Sequence, residues 1–139
     1  MIVHIDGGSR GNPGPAGYGV RFTGADGAVA AEFSGAIGVA TNNVAEYSGL
    51  LAALRYAIEH GYADLTVRSD SLLLVCQMRG EYKVKNPGLQ VLHAEARRLV
   101  AGLGRVRFEH VRREANADAD RLANEAMDGK KKAEDRRAD

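Results

Sequence analysis

The segment NVAEYSGLLAALRYAIEHG, residues 43–61, followed by LTVRSD, residues 65–70, determines the predicted fold. In the first part, apolar side chains recur every three or four residues, which predicts an amphipathic helix that ends near Gly61. The second part is a short run of strand-forming residues that stops at Asp70. A long helix followed closely by such a strand indicates a mixed α/β fold.

The rest of the chain continues this pattern of strands and helices. The other predicted strands are residues 1–6, 18–23, 28–34 and 104–111. The other predicted helices are residues 71–79, a helix that begins at residue 86, and residues 116–127. The Asp26-Gly27 pair predicts a hairpin between the second and third strands. The predicted order is β-β-β-α-β-α-α-β-α, a mixed five-stranded sheet flanked by helices.

Composition excludes several classes of protein. The chain has 139 residues, of which 45% are hydrophobic and 27% charged, values that fit one globular domain with a buried core. A single cysteine excludes an intramolecular disulfide and a multi-cysteine zinc site. No apolar run approaches the roughly 18 residues that span a bilayer, and the first residues do not form a signal peptide. We therefore expect a soluble cytoplasmic protein without a membrane partner, and a monomer.

Charge is distributed unevenly along the chain. Residues 129–139, GKKKAEDRRAD, contain five basic and three acidic side chains, whereas the net charge of the whole chain is only +1. Residues 1–128 therefore carry a net charge of −1, which disfavours binding to nucleic acid by overall charge alone. We predict a domain at residues 1–128 and a charged, disordered tail at residues 129–139.

Four of the acidic residues occupy positions where α/β proteins place their sites. Asp6 and Asp70 end predicted strands, and Glu46 and Asp120 lie in the first turns of predicted helices. If the strand ends are neighbours, the four carboxylates converge, and divalent cations would relieve their mutual repulsion. Oxygen ligands favour Mg²⁺ or Mn²⁺ over Zn²⁺.

Each of these acidic residues also has a possible local role. Asp6 could form a turn with the glycines that follow it, and Glu46 could complete a capping box with Asn43. Asp70 could cap the helix after it, and Asp120 could complement a helix dipole. The joint placement of the four residues favours the metal site.

Five motifs resemble the type 1 ribonuclease H family, in the family's order and spacing and across nearly the whole chain. They are DGGSRGNPGPAGYG (6–19), TNNVAEYSGLLAAL (41–54), VRSDSLLL (67–74), GEYKVKNPGL (80–89) and VRREANADADRLAN (111–124). The resemblance implies a ribonuclease H-like fold and an endoribonuclease that hydrolyses the RNA strand of RNA–DNA hybrids, leaving 5′-phosphate and 3′-hydroxyl ends. It also implies two Mg²⁺ ions, with Mn²⁺ as a substitute, on the catalytic residues Asp6, Glu46, Asp70 and Asp120.

The resemblance further implies which residues bind the hybrid duplex. Short side chains and backbone groups on tight loops would recognise the 2′-hydroxyl groups of the RNA strand. These residues are Gly7, Gly8, Asn12, Asn42 and Asn43. Thr41, with Asn12 nearby, would hold a phosphate of the DNA strand. A plain turn at Asn12 and a plain helix cap at Thr41 and Asn43 are the alternatives.

Two features depart from the family pattern. Many members carry a histidine in the loop before the last aspartate, where this chain has RREAN, residues 112–116. Arg113 is our candidate replacement, as a catalytic cation near the scissile phosphate, and a solvated surface arginine is the alternative. Some relatives also carry a long basic insertion, whereas the equivalent segment here is short and offers Lys83 and Lys85 for substrate binding. We therefore expect weaker hybrid binding than in those relatives.

Two other functions are compatible with the same fold. A catalytically silent nucleic-acid-binding module is disfavoured, because an inert binder gains nothing from keeping four repelling carboxylates. A nuclease that cuts DNA is disfavoured by the glycine- and asparagine-rich first loop and by the segment at residues 41–43.

Overall fold

A central five-stranded sheet with helices on both faces forms the fold in a computed structural model, which describes residues 1–129. The strands are β1 (Ile2–Ser9), β2 (Gly14–Thr23), β3 (Val29–Ala40), β4 (Asp64–Ser69) and β5 (Arg105–His110). The helices are α1 (Asn42–Glu59), α2 (Leu72–Met78), α3 (Pro87–Ala101) and α4 (Ala117–Met127), and a 3₁₀ turn at Arg113–Asn116 precedes α4. The predicted order of elements is confirmed. The predicted tail lies, apart from its first residue, outside the described residues.

The sheet brings two predicted site residues to the same edge. Its strand order is β3-β2-β1-β4-β5, with β1 antiparallel to β2 and parallel to β4. The parallel pairing of β1 with β4 ends at Ile5 opposite Ser69. Asp6 directly follows Ile5 and Asp70 directly follows Ser69, so the two carboxylates lie side by side where this pairing ends.

The first three strands are longer than the sequence predicts. Residue 6 is the predicted end of β1, but the strand continues to Ser9, which pairs with Ala16 of β2. β2 begins at Gly14, inside a segment predicted to be a loop, and its Pro15 pairs with Val39 of β3. Glycine and proline mark only a short turn there, because the antiparallel hydrogen bonding extends through them. The predicted hairpin at Asp26-Gly27 is confirmed, and Gly27 has a φ of +83°, which glycine adopts without strain.

The hydrophobic core lies between α1 and one face of the sheet. Buried side chains of α1, including Leu50 and Leu54, join Val3, Ile5 and Val20 of the sheet in one cluster. Each such side chain contributes about 1.5–3 kcal/mol when it is fully buried. None of the helices in the described range has the length and hydropathy of a membrane span.

Helix α4 packs on the opposite face of the sheet through glycine positions of β2. A Cβ atom at Gly19 would lie 2.3 Å from the carbonyl oxygen of Ala119 and 2.6 Å from Cβ of Leu122. The helix backbone therefore approaches the strand more closely than any side chain permits. Since Asp120 follows Ala119 directly, this contact helps to set the height of Asp120 above the sheet.

We expect Gly19→Ala to destabilise the fold by roughly 3 kcal/mol, because a new methyl group at this position overpacks two backbones that cannot both move. Thermal unfolding followed by circular dichroism measures the loss. Gly102→Ala is the matched control, since a Cβ there meets its nearest atom at 3.4 Å, an ordinary contact. Equal melting temperatures for the two variants would contradict the proposed close approach of α4.

Candidate active site

Three carboxylates meet where β1 and β4 stop pairing. Asp6, Glu46 and Asp70 each offer one oxygen atom, and these atoms all lie within 4.8 Å of one another. Asp6 belongs to β1, Asp70 directly follows β4, and Glu46 belongs to α1, which crosses the sheet above them. Carboxylate oxygens so close together are a donor set that suits Mg²⁺ or Mn²⁺.

Asp120 reaches the same place from α4. It lines a pocket of about 290 Å³ together with the other three carboxylates. Its side chain forms a hydrogen bond with that of Asp6. The four acidic residues singled out in the sequence therefore converge, with Asp120 beside the tighter group of three.

Burial and mutual repulsion raise the pKa values of Asp6, Glu46 and Asp70. Burial raises the pKa of Asp6 to about 8, and the charge of Asp70 adds to the effect. Burial, followed again by the charge of Asp70, raises the pKa of Glu46 to about 7. Burial also raises the pKa of Asp70, although the guanidinium of Arg113 opposes that rise. Without a cation, the site retains protons at neutral pH.

Gly7 sets the distance between α1 and β1. A Cβ atom at Gly7 would lie 2.4 Å from the carbonyl carbon of Ala45 and 2.5 Å from the backbone nitrogen of Glu46. Helix α1 therefore crosses β1 directly over Gly7, which places Glu46 next to Asp6. The prediction that Gly7 binds the hybrid stays a prediction, whereas the structure shows this packing role.

The start of α1 differs from the prediction. The N-cap is Thr41, whose Oγ accepts a hydrogen bond from the Val44 amide. Glu46 consequently lies beyond the first turn, so the prediction that it occupies that turn is wrong. A capping box between Asn43 and Glu46 is excluded for the same reason, because the helix begins one residue before Asn43. The Glu46 carboxylate therefore takes no part in capping and lines the pocket.

The start of α2 removes a second local explanation. Ser71 is the N-cap of α2, and its Oγ accepts a hydrogen bond from the Leu74 amide. Asp70 therefore does not cap this helix. Asp120 does lie in the first turn of α4, as predicted.

Asparagine side chains tie the turn after β1 to the start of α1. Oδ1 of Asn42 accepts hydrogen bonds from the amide of Ser9 at 2.8 Å and from its hydroxyl at 3.0 Å. The backbone amide of Asn42 donates to Oδ1 of Asn12 at 3.1 Å. The protein thus uses the acceptor atom of both side-chain amides. Within residues 1–129 neither Nδ2 group donates a hydrogen bond, so both remain available as donors.

Of the other predicted catalytic and binding residues, some line the carboxylate pocket and others lie outside it. Gly8 and Arg113 line the carboxylate pocket, and Arg113 is close enough to Asp70 to affect its charge. Lys83 and Lys85 lie in the loop between α2 and α3 and do not line the pocket. The structure therefore brings Arg113 to the carboxylates and leaves the two lysines outside the pocket.

Four further residues that line the pocket were not predicted from the sequence: Ser9, Arg10, Asn124 and Met127. Arg10 forms an ion pair with Asp128 at 3.0 Å, which joins the turn between β1 and β2 to the end of α4. Asn124 donates to the backbone carbonyl of Asp120 at 2.8 Å. Its position four residues after Asp120 on a predicted helix was a signal that it shares the Asp120 face.

Comparison with known proteins places the chain in a family. Residues 4–126 match the family described as "Reverse transcriptase-like". The crystal structure of ribonuclease H1 from the halophilic archaeon Halobacterium salinarum superposes with a TM-score of 0.89 at 43% identity, covering 92% of this chain and 97% of that one. The chain belongs to the type 1 ribonuclease H family. The resemblance seen in the sequence motifs is thereby confirmed.

Two other ribonuclease H proteins are similar over most of this chain. LC11-RNase H1, crystallised in complex with an RNA/DNA hybrid, has a TM-score of 0.88 and 44% identity, covering 92% of this chain and 96% of that one. A bifunctional protein of Mycobacterium tuberculosis is 51% identical over 129 residues, which is 92% of this chain and 35% of that protein. The chain thus spans about a third of the length of the mycobacterial relatives that it matches.

We expect the metal-free protein to lose stability as pH rises from about 4 to about 8. The folded pKa values of Asp6 and Glu46 lie above those of the unfolded chain, so the folded state binds more protons, and its stability declines as these groups ionise. Asp6→Asn removes the largest contribution. In EDTA at about pH 8.5, this variant should melt several degrees above the parent protein.

Melting curves in EDTA across this pH range test the expectation, with Asp26→Asn in the exposed hairpin turn as the control. Parallel pH profiles for the parent protein and Asp6→Asn would show that folding does not raise the pKa of Asp6.

Proposed function

We propose that this chain is a metal-dependent endoribonuclease that hydrolyses the RNA strand of RNA–DNA hybrids. The observation that carries the proposal is the convergence of four carboxylates, from β1, α1, the end of β4 and α4, in one open pocket. Membership of the type 1 ribonuclease H family supports this substrate. LC11-RNase H1, which was crystallised with an RNA/DNA hybrid, supports it further.

Asp6, Glu46, Asp70 and Asp120 would hold two divalent cations, Mg²⁺ or Mn²⁺ in its place. The fit rests on a pocket whose ligands are all oxygens and whose carboxyl groups retain protons in the absence of a cation. When bound, the ions would lower the pKa of an attacking water and neutralise charge on the leaving 3′ oxygen. The water oxygen would bond to phosphorus as the P–O3′ bond breaks. The water would release a proton and the 3′ oxygen would take one up from solvent, which gives 5′-phosphate and 3′-hydroxyl ends.

Arg113 would place a fixed positive charge beside the scissile phosphate. Its guanidinium lies near Asp70 on the wall of the pocket. A guanidinium remains protonated at all relevant pH values and matches phosphate oxygens with paired N–H donors. It would therefore stabilise charge on the phosphate during the reaction, in the loop where many family members have a histidine.

The asparagine amides would recognise the ribose. Because Asn12 and Asn42 use their acceptor atoms internally, their Nδ2 groups can only donate, and a 2′-hydroxyl oxygen can accept. Backbone groups at Gly7 and Gly8 and the exposed side chain of Asn43 would extend the same surface.

Phosphates away from the cut would be held by hydroxyl and ammonium groups. The Thr41 hydroxyl accepts from the Val44 amide and keeps its own proton to donate to a DNA-strand phosphate. Lys83 and Lys85, on the exposed loop between α2 and α3, would add salt-dependent contacts.

A substrate panel tests the proposed function. We expect cleavage of the RNA strand of a labelled RNA–DNA hybrid, and no cleavage of double-stranded DNA, double-stranded RNA or single-stranded RNA. The activity should need Mg²⁺ or Mn²⁺ and disappear in EDTA, and the products should end in 5′-phosphate and 3′-hydroxyl groups. Asp70→Asn, which keeps the shape of the side chain but removes a charged ligand, should lose most of the activity. In EDTA it should melt no lower than the parent protein, because repulsion is relieved.

Other outcomes of the panel separate the alternatives. Cleavage of double-stranded DNA would favour a DNA nuclease, and hybrid binding without cleavage would favour a silent binding module. Products with 2′,3′-cyclic phosphate would show that the 2′-hydroxyl attacks instead of water. Parent-like cleavage by Asp70→Asn would remove Asp70 from the metal site.

Arg113 and the two lysines should affect different kinetic constants. We expect Arg113→Ala to lower kcat by about 100-fold with little change in KM, because its contact is made to the reacting phosphate. The double variant Lys83→Ala, Lys85→Ala should raise KM, more strongly at low salt than at high salt, and leave kcat nearly unchanged. Steady-state kinetics on one hybrid at two salt concentrations measure both effects. An unchanged kcat for Arg113→Ala would make this arginine an ordinary surface charge.

A further inference from the structure

Asn116 joins the segment before α4 to β1 through one buried hydrogen bond. Its Nδ2 group donates to the carbonyl oxygen of Ile5 at 2.9 Å, between residues 111 positions apart in the sequence. The side chain is 1% exposed. Ile5 directly precedes Asp6, and Asn116 directly precedes the helix that carries Asp120. One side chain therefore connects the backbone segments that carry two of the four carboxylates.

This hydrogen bond replaces the local role that Asn116 would ordinarily have. Asparagine is among the preferred N-cap residues, because its Oδ1 accepts from an amide in the first helical turn. Asn116 is the N-cap of α4, yet its side chain makes no capping bond. Its Oδ1 is buried and, within residues 1–129, has no hydrogen-bond partner. Leaving a buried acceptor unpaired is unfavourable. The contact with Ile5 is thus kept although Oδ1 loses the capping bond that it could otherwise accept.

Two further contacts hold α4 against strands other than β1. The close contact at Gly19 and the ion pair between Arg121 and Glu32, at 3.6 Å, hold the helix against β2 and β3. Neither contact reaches β1 at Asp6. Asn116 is the residue at which the 3₁₀ turn carrying Arg113 meets α4, so its contact with Ile5 bears on both Arg113 and Asp120.

We propose that Asn116 is a positioning residue, which holds Asp120 and Arg113 in register with Asp6, Glu46 and Asp70. It touches neither substrate nor ion and acts through the backbone at Ile5. The inference rests on the proposed function, because it concerns the same metal ligands. It adds that the buried side-chain amide of Asn116, which takes part in no reaction step, determines how Asp120 is placed relative to the other three carboxylates.

Asn116→Ser tests this role while sparing the helix. The shorter side chain cannot bridge to Ile5, but serine is itself a good N-cap, so the hydroxyl can satisfy an amide of α4. We expect Mn²⁺ affinity, measured by isothermal titration calorimetry, to fall about 10–100-fold, as it does when outer partners of metal ligands are lost. With the RNA–DNA hybrid, kcat should fall by a similar factor while KM changes little. The melting temperature in EDTA should drop only slightly.

Asn86→Ser is the matched control. Asn86 is also an N-cap asparagine, at the start of α3, but its Oδ1 makes the usual bond to the Leu89 amide at 3.1 Å. The same substitution there should leave Mn²⁺ affinity and kcat within about twofold of the parent values, because ligand positions outside that helix are unchanged. Asn116→Leu, which fills a similar volume without a polar atom, provides the second test if the serine variant does not fold, and should show the same loss of Mn²⁺ affinity.

Three results would overturn the inference. Parent-like Mn²⁺ affinity and kcat in a folded Asn116 variant would make the hydrogen bond merely structural. Equal losses in Asn116→Ser and Asn86→Ser would trace the effect to global stability. A parent protein that binds no Mn²⁺ would instead refute the proposed function, and the inference with it.

Discussion

The close approach of α1 to β1 is the constraint on which the site depends. The helix crosses the strand over Gly7, where any Cβ would collide with the backbone of Ala45 and Glu46. Because the two backbones are nearly in contact, Glu46 and Asp6 lie side by side, and the parallel pairing of β1 with β4 adds Asp70. A second glycine contact, at Gly19, performs the equivalent task for α4 on the opposite face. The lack of a side chain at Gly7 and Gly19 therefore determines where the charged side chains meet.

The clustered carboxylates lower the stability of the fold that brings them together. Burial and mutual repulsion raise the pKa values of Asp6 and Glu46 to about 8 and about 7. When no cation is present, these two groups therefore retain protons, which reduces the repulsion. The hydrophobic core under α1 is separate from this cluster and offsets its cost. The guanidinium of Arg113 partly offsets this repulsion, because it opposes the rise in the pKa of Asp70. Binding of divalent cations would convert the repulsion into a driving force for metal uptake.

Sequence reasoning predicted the order of elements and the convergence of four acidic residues, because both follow from periodicity and from the positions where strands end. It left open which of several adjacent residues caps a helix. Thr41 and Ser71, rather than Asn43 and Asp70, cap their helices, and good capping residues adjacent in sequence cannot be ranked without the backbone. It could not anticipate that Asn116 bonds to Ile5, since that contact joins residues far apart in the chain. The extent of the first three strands also escaped it, because antiparallel pairing continues through glycine and proline that usually mark turns.

The hydrogen bonding of Asn12 and Asn42 has a consequence for the chemistry of the sugar. Oδ1 of Asn42 accepts two hydrogen bonds and Oδ1 of Asn12 accepts one, so these amides would mainly present N–H groups to a bound strand. In the proposed function, such a surface would detect a lone pair at the 2′ position and would need no proton there. A 2′-fluoro sugar, which carries lone pairs but no proton, should therefore resemble ribose more than deoxyribose at these two positions. The surface would select for an electronegative atom of suitable size rather than for a hydroxyl group as such.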